Sequence, residues 1–274
     1  MKTINCKGKL LNFSSPKVMG ILNITPDSFF DGGKYTHEKA IITQVEKMLL
    51  DGATFIDVGA YSSRPGAKHI SEEEELQRII PVIQLLIKEF PEILISVDTF
   101  RSKVATETIY NGAAIINDIS GGTLDAAMFA TVAKLQVPYI LMHMQGTPQN
   151  MQENPTYTNV VTELRSFFAE QLFKLHALKV NDVIIDVGFG FGKTTAHNFD
   201  ILKNLDLFSS LDAPILAGIS RKSMLYKTLD ITAQEALNAT TSANTIALLN
   251  GASILRVHDV KEATEAVKLV AMCK

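Results

Sequence analysis

The chain has 274 residues, of which 46% are hydrophobic and 20% charged, with a formal net charge of −3. Such a composition excludes a disordered segment, and one α/β barrel of about 250 residues would fill the length as a single domain. The slightly acidic balance argues against a nucleic-acid backbone or an anionic membrane as the main partner, because either requires a basic face.

Residues 1–13 place Lys7-Gly8-Lys9 between mildly apolar runs, which predicts a small hairpin packed on the bottom of whatever follows. Cys6 lies here and Cys273 near the other end, so neither a disulfide framework nor a structural zinc site is expected. The opening residues hold no apolar core of a signal peptide, and no stretch is long enough to cross a bilayer. With reduced thiols, this reads as a cytoplasmic protein.

From residue 18 on, short Val- and Ile-rich runs alternate with longer amphipathic ones. Strands are predicted at 18–25, 54–59, 93–99, 113–120, 137–144, 182–188, 213–220 and 253–259, each nearly all apolar, as a parallel strand covered on both faces should be. Helices are predicted at 37–50, 71–90, 102–111, 125–135, 158–179, 198–209, 233–249 and 261–272. The second opens with Ser71 and Glu74 in capping-box spacing, and the fifth carries Leu164, Phe168, Leu172 and Leu175 on one face. Eight strand–helix units predict a closed (β/α)8 barrel, a TIM barrel; a doubly wound open sheet is the alternative that pattern alone leaves open.

Polar residues collect at the C-terminal ends of these strands: Asn23, Asp57, Asp98, Asn117 with Asp118, His143, Asp186, Ser220 followed by Arg221 and Lys222, and Arg256 with His258. A buried carboxylate is costly unless paired, and this end of a barrel is where catalytic groups gather. Glycine-containing loops follow at the same end, at 26–33, 60–67 and 188–194. The last is neither a Walker A loop, which needs four residues before Gly-Lys-Thr where Gly188 to Gly192 leaves three, nor a Rossmann fingerprint.

The segment Met19-Gly20-Ile21-Leu22-Asn23-Ile24-Thr25-Pro26-Asp27-Ser28-Phe29 resembles the opening signature of the dihydropteroate synthases. So do Ser62-Ser63-Arg64-Pro65-Gly66, Ser96-Val97-Asp98-Thr99, Asn117-Asp118-Ile119-Ser120-Gly121-Gly122, Leu141-Met142-His143-Met144, the 188–193 loop, Ser220-Arg221-Lys222-Ser223 and Arg256-Val257-His258-Asp259-Val260. The similarity runs in register from about residue 18 to 260. It implies a homodimeric (β/α)8 enzyme of folate biosynthesis, a sulfonamide target. Such an enzyme joins 4-aminobenzoate to 7,8-dihydropterin-6-ylmethyl diphosphate with Mg2+, releasing pyrophosphate and 7,8-dihydropteroate. By this resemblance Asp98, Asn117, Asp186 and Lys222 bind the pterin; Asn23, Arg256 and His258 belong to the diphosphate end, with Asn23 on the metal. Asp57, Ser63 and Arg64 come from the loops that complete the site, and Ser63, Arg64, Pro65 and Ser223 lie against the aminobenzoate. Tyr61 stands where the family usually has glutamate, Ser63 where it has threonine, and Val187 where a proline is common.

The residue types suit that chemistry. A pterin presents adjacent N–H donors along its amino-pyrimidinone edge, which a carboxylate such as Asp98 or Asp186 meets with two parallel bonds. Asn117 donates and accepts, and Lys222 donates. Phe189 or Phe191 is placed to pack on the ring or within its own loop. Arg256 and His258, two apart on a strand, share a face, and Arg256 offers a fork to phosphate. Asn23 gives magnesium one neutral oxygen. Asp57 is the candidate for stabilising a cationic intermediate after dissociative cleavage, the alternative being a brace to Arg64. A methyltetrahydrofolate-type methyltransferase or a non-catalytic pterin-binding barrel would have no use for the diphosphate end.

Overall fold

The computed structural model of the protein describes residues 2–24, 33–62 and 69–273. Strands β1 (Thr3–Cys6) and β2 (Lys9–Asn12) form an antiparallel hairpin. Its two-residue turn is Lys7-Gly8, with φ of 52° and 76°, the left-handed pair that matches strand twist. The main body then runs β3 (Lys17–Asn23), α1 (Gly33–Leu50), β4 (Phe55–Gly59), α2 (Glu72–Glu89), β5 (Ile95–Asp98), α3 (Ser102–Tyr110) and β6 (Ile115–Asp118). It continues with α4 (Met128–Leu135), β7 (Tyr139–Met142), α5 (Val160–Ala177), β8 (Val183–Asp186) and α6 (Thr195–Lys203). Last come β9 (Ile215–Ala217), the short α7 (Ser223–Tyr226), α8 (Leu237–Leu249), β10 (Ile254–Val257) and α9 (Val260–Ala271). Strands β3 to β10 pair in sequence, all parallel, and β10 returns to β3. The barrel is therefore closed, and the open-sheet alternative falls.

Each strand is apolar on both faces because both are covered. Outward residues such as Val18, Ile56, Val97, Ile116, Leu141, Ile185 and Leu255 pack under the helices. Inward ones at the N-terminal end, among them Met19, Phe55, Ile115, Ile140, Ile184, Leu216 and Ile254, form a separate apolar floor. The hairpin completes that floor by inserting Ile4 and Cys6, both fully buried. Both cysteines are free thiols, and burial pushes the Cys6 thiol up to about 11.

Helix boundaries differ from the sequence expectation where side chains take over the backbone's hydrogen bonds. The helix expected at 198–209 starts at Thr195, because Thr194 and His197 form a reciprocal cap, and gives way to a 3-10 turn at Leu205–Leu211. That expected at 125–135 starts at Met128, since Asp125 accepts from the Ser102 and Ala127 N–H groups in front of it. Ser71 does cap α2 by accepting from Glu74 N, but the Glu74 carboxylate pairs with Arg78 and leaves the box half formed.

The floor carries stability that the turn above it does not. Ile4→Ala is expected to lower the unfolding free energy by about 2–5 kcal/mol. Leu10→Ala, at a side chain 72% exposed on the same hairpin, should stay within about 0.5 kcal/mol. Urea denaturation of the two variants checks this.

Candidate active site at the C-terminal mouth

Side chains alternate along a strand, so the residue two beyond each floor residue also points inward. Asp57 follows Phe55, Asn117 follows Ile115, Asp186 follows Ile184 and Arg256 follows Ile254. This second layer is where the barrel interior turns from apolar to charged. Asp98, at the end of β5, joins it in register with Asn117 and opposite Gly59.

Arg256 holds the layer together. Its Nε donates to Asp57 Oδ2 at 2.7 Å, and its Nη2 lies 2.6 Å from that oxygen and donates to Asp98 Oδ2 at 3.0 Å. Asn117 Nδ2 donates to the same Asp57 oxygen at 3.1 Å. Burial opposes the guanidinium's charge, but Asp57 and Asp98 outweigh it and hold the group protonated. Burial drives the Asp98 carboxyl up, to about 7, against the pull of Arg256. Asp57 Oδ1 and Asn117 Oδ1 are buried and accept no hydrogen bond among the described residues, so a donor-bearing ligand would relieve both.

A second group faces them. Asp186 Oδ1 accepts from Gly188 N at 2.8 Å, and burial raises its carboxyl despite the nearby Lys222. Lys222 Nζ donates to the Phe189 carbonyl and sits 4.6 Å from the centre of the Phe191 ring. Burial lowers its ammonium to about 8.

The mouth thus brings together Asp57, Asp98, Asn117, Asp186, Lys222 and Arg256. Asn23 ends β3 at the rim, its Oδ1 3.8 Å and Asp98 Oδ2 3.7 Å from where a Cβ on Gly59 would stand. Both oxygens therefore border the same small space above Gly59. His258 is exposed at the rim with its ring on Ser220 Oγ, Nδ1 to oxygen 3.0 Å. Ser223 is half-buried as the first residue of α7. Ser63, Arg64 and Pro65 lie outside the described residues.

Several expectations change. Asp57 lies on its predicted strand, fully buried and braced by Arg256, and not in the loop with which the resemblance grouped it. The Arg256 fork is occupied by carboxylates rather than left open. Phe189 is wholly buried and contributes its carbonyl, leaving Phe191 as the ring at the site. Asp118 is structural: it points outward from β6 and accepts from Tyr139 Oη, Ser120 N, Ser120 Oγ and Gly122 N. Arg221 pairs with Asp259 through two bonds of 2.9 Å. Among the described residues no cluster of three or more His, Cys, Asp or Glu side chains could hold a metal ion. Asn23 alone therefore suits only an ion that keeps water and ligand oxygens, as Mg2+ does.

A parallel barrel whose mouth sets carboxylates and a carboxamide beside two cations defines a (β/α)8 enzyme that reads a planar, hydrogen-bonding ring. Residues 19–258 match the family of pterin-binding enzymes. The dihydropteroate synthase of Escherichia coli (strain K12) is 44% identical over 270 residues, which cover 96% of this chain and 94% of that protein. Among solved structures, Yersinia pestis dihydropteroate synthase in complex with a sulfonamide drug superposes with a TM-score of 0.92 at 41% identity, covering 99% of this chain and 98% of that one. The Xanthomonas albilineans enzyme with 4-aminobenzoic acid gives 0.91 at 36% identity, covering 99% and 97%. The chain belongs to the pterin-binding enzyme family and, within it, to the dihydropteroate synthases, so dihydropteroate synthesis is its activity.

Arg256→Met leaves Asp57 and Asp98 without their shared cation. The expected cost at pH 8 is about 3–5 kcal/mol. A raised carboxyl favours the folded state below its native pKa and loses that advantage as pH rises through it. The deficit should therefore shrink at pH 5, where Asp98 carries a proton. Chemical denaturation at the two pH values measures it.

Proposed function

We propose that the chain condenses 7,8-dihydropterin-6-ylmethyl diphosphate with 4-aminobenzoate by dissociative cleavage, with the pterin held deep in the mouth. The observation that carries this reading is the facing pair of groups: unpartnered Asn117 and Asp57 oxygens on one side, Asp186 and Lys222 on the other. Asp98 and Asp186 accept from the ring's N–H edge, Asn117 and Lys222 complete its hydrogen bonds, and Phe191 with Lys222 bounds one side. Asp57, fixed through Oδ2, keeps Oδ1 free to stabilise the cation that forms when the methylene–oxygen bond breaks. The electron pair leaves with pyrophosphate. The neutral aryl amine then forms the carbon–nitrogen bond and sheds its proton to solvent, so catalysis rests on placement and charge stabilisation.

His258 at the rim, with Arg256 where its fork exchanges a carboxylate for phosphate, is the proposed diphosphate end. Asn23 Oδ1 would hold magnesium there, which when bound neutralises departing phosphate charge. Ser63, Arg64, Pro65 and Ser223 are the proposed aminobenzoate contacts, and a sulfonamide would compete with that substrate. We read the protein as cytoplasmic and homodimeric. No helix among the described residues is long and apolar enough to cross a membrane. Exposed Ile246 and Leu249 on α8 and Leu269 on α9 supply an apolar face for a second copy, which sedimentation would detect.

Pyrophosphate release that requires 4-aminobenzoate tests the activity and separates it from methyl transfer or passive pterin binding; release in its absence would sink the condensation. Chelation should abolish turnover, and Asn23→Ala should raise the magnesium needed for half-maximal rate. Pterin affinity should be bell-shaped in pH. It rises through about 7 as Asp98 ionises and falls above about 8 as Lys222 loses its proton. Calorimetric titration should show Asp98→Asn removing the acid limb and Lys222→Met the alkaline limb.

A further inference from the structure

The reading above leaves the buried charge of Lys193 without a task. Lys193 is 3% exposed at the end of the 188–193 loop between β8 and α6. Among the described residues its ammonium makes no ion pair with a carboxylate. It donates to the carbonyls of Gly188 at 2.9 Å, Phe191 at 2.9 Å and His143 at 3.1 Å, and meets His143 Nδ1 at 3.1 Å. Burial lowers the proton affinity of this amine well below that of a free lysine, but its three carbonyl acceptors match the three N–H groups of an ammonium, with the ring nitrogen sharing one of them. The ring nitrogen must accept, so His143 is neutral with its proton on Nε2; burial, with Lys193 beside it, lowers the imidazole to about 3.

Two of these acceptors belong to the 188–193 loop, whose carbonyls show a regular division of labour. Carbonyls 188 and 191 turn inward to Lys193. Carbonyl 189 accepts from Lys222, 190 from Gln152 at 2.7 Å and 192 from Tyr157 at 2.7 Å. Asn198 accepts from Gly190 N and donates to the Lys193 and Thr194 carbonyls. The outer ties therefore hold the loop to its surroundings, while Lys193, together with the Phe191 N–H that donates to the Gly188 carbonyl at 3.1 Å, draws its two ends together from within. Gly188 is pressed against the His143 carbonyl so closely that a Cβ there would stand 2.1 Å from the oxygen, and its φ is 65°. Its N–H is the one that holds Asp186 Oδ1. Both partners of the second group, Asp186 through Gly188 N and Lys222 through the Phe189 carbonyl and the Phe191 ring, take their positions from the segment that Lys193 fixes.

We propose that Lys193 is a positioning residue for ring recognition: its buried ammonium sets the 188–193 loop so that Asp186 and Lys222 meet the pterin together. This rests on Asp186 and Lys222 being pterin ligands. It assigns the lysine of the glycine loop to the loop's own carbonyls and not to a phosphate of the substrate.

The test is calorimetry on the full-length protein with two probes, 6-hydroxymethyl-7,8-dihydropterin and inorganic pyrophosphate with Mg2+, well below the melting temperature of every variant. Lys193→Met should weaken the dihydropterin at least tenfold and leave pyrophosphate within about twofold. KM for the pterin diphosphate should rise much more than kcat falls. A lysine that served stability only would lower the melting temperature and leave the dihydropterin affinity of the folded protein unchanged, which overturns the proposal. Equal losses for both probes overturn it too, since that would place Lys193 at the diphosphate. If Lys193→Met does not fold, the pair His143→Leu and His143→Gln decides. Leucine removes one acceptor from the ammonium and should weaken dihydropterin several-fold, whereas glutamine restores an acceptor and should retain wild-type affinity; equal behaviour of the two overturns the proposal. Asp186→Asn separates the two levels of the argument. If it weakens dihydropterin and Lys193→Met does not, only the positioning role fails. If Asp186→Asn itself has no effect, the ring assignment fails and the role of Lys193 with it.

Discussion

One guanidinium between two acids makes this site possible. Asp57 on β4 and Asp98 on β5 point into the same low-dielectric interior, where two uncompensated carboxylates could not both stay ionised. Arg256 reaches them from β10, across β3, because barrel closure brings the last strand beside the first. Without closure the acids would lose their counter-charge, and without the acids the arginine would be a buried cation with no partner. The charged layer and the closed topology therefore depend on each other. Asn117 is drawn into the same arrangement by its bond to Asp57, and its carbonyl oxygen is left without a hydrogen-bond partner among the described residues.

The two cation–carboxylate groups of the mouth differ in kind. Arg256 keeps its charge at any working pH and acts as a fixed strut. Lys222 stands where burial has brought its proton within reach of solution conditions, beside a carboxylate that burial has moved the other way. A permanent cation on one wall and an adjustable one on the other give the mouth both a fixed charge and one that responds to its surroundings. The adjustable cation is the one whose geometry is delegated to a loop, and there the glycines at 188 and 190 permit left-handed backbone, with φ of 65° and 80°.

Much of this was legible in the sequence, for identifiable reasons. Strand period and strand-end polarity are local signals, so the eight-fold alternation and the set of strand-end polar residues could be read from one chain, while only the resemblance singled out Asp98, Asn117, Asp186, Lys222 and Arg256 within that set. The hairpin was legible from Lys7-Gly8, since few other sequences turn so tightly. Partnership was not legible. Asp57 could be placed on its strand, but the resemblance grouped it with the loop that follows, and nothing local named its partner. Its partner Arg256 is 199 positions away, and no periodicity links them. Asp118 and Asp98 carry the same side chain at the ends of neighbouring strands, yet one faces Tyr139 under the helices and the other faces the mouth. That distinction needs the inward and outward registers of both strands. Lys193 was hidden for a similar reason: a lysine after glycines suggests an anion, and only the fold shows that carbonyls surround it.

The hairpin's Ile4 and Cys6, seated among the floor residues, make the interior a blind well rather than a channel. The charged layer is therefore separated from solvent at the far end by a full layer of apolar side chains, and two residues that lie before the first barrel strand help to keep its dielectric low.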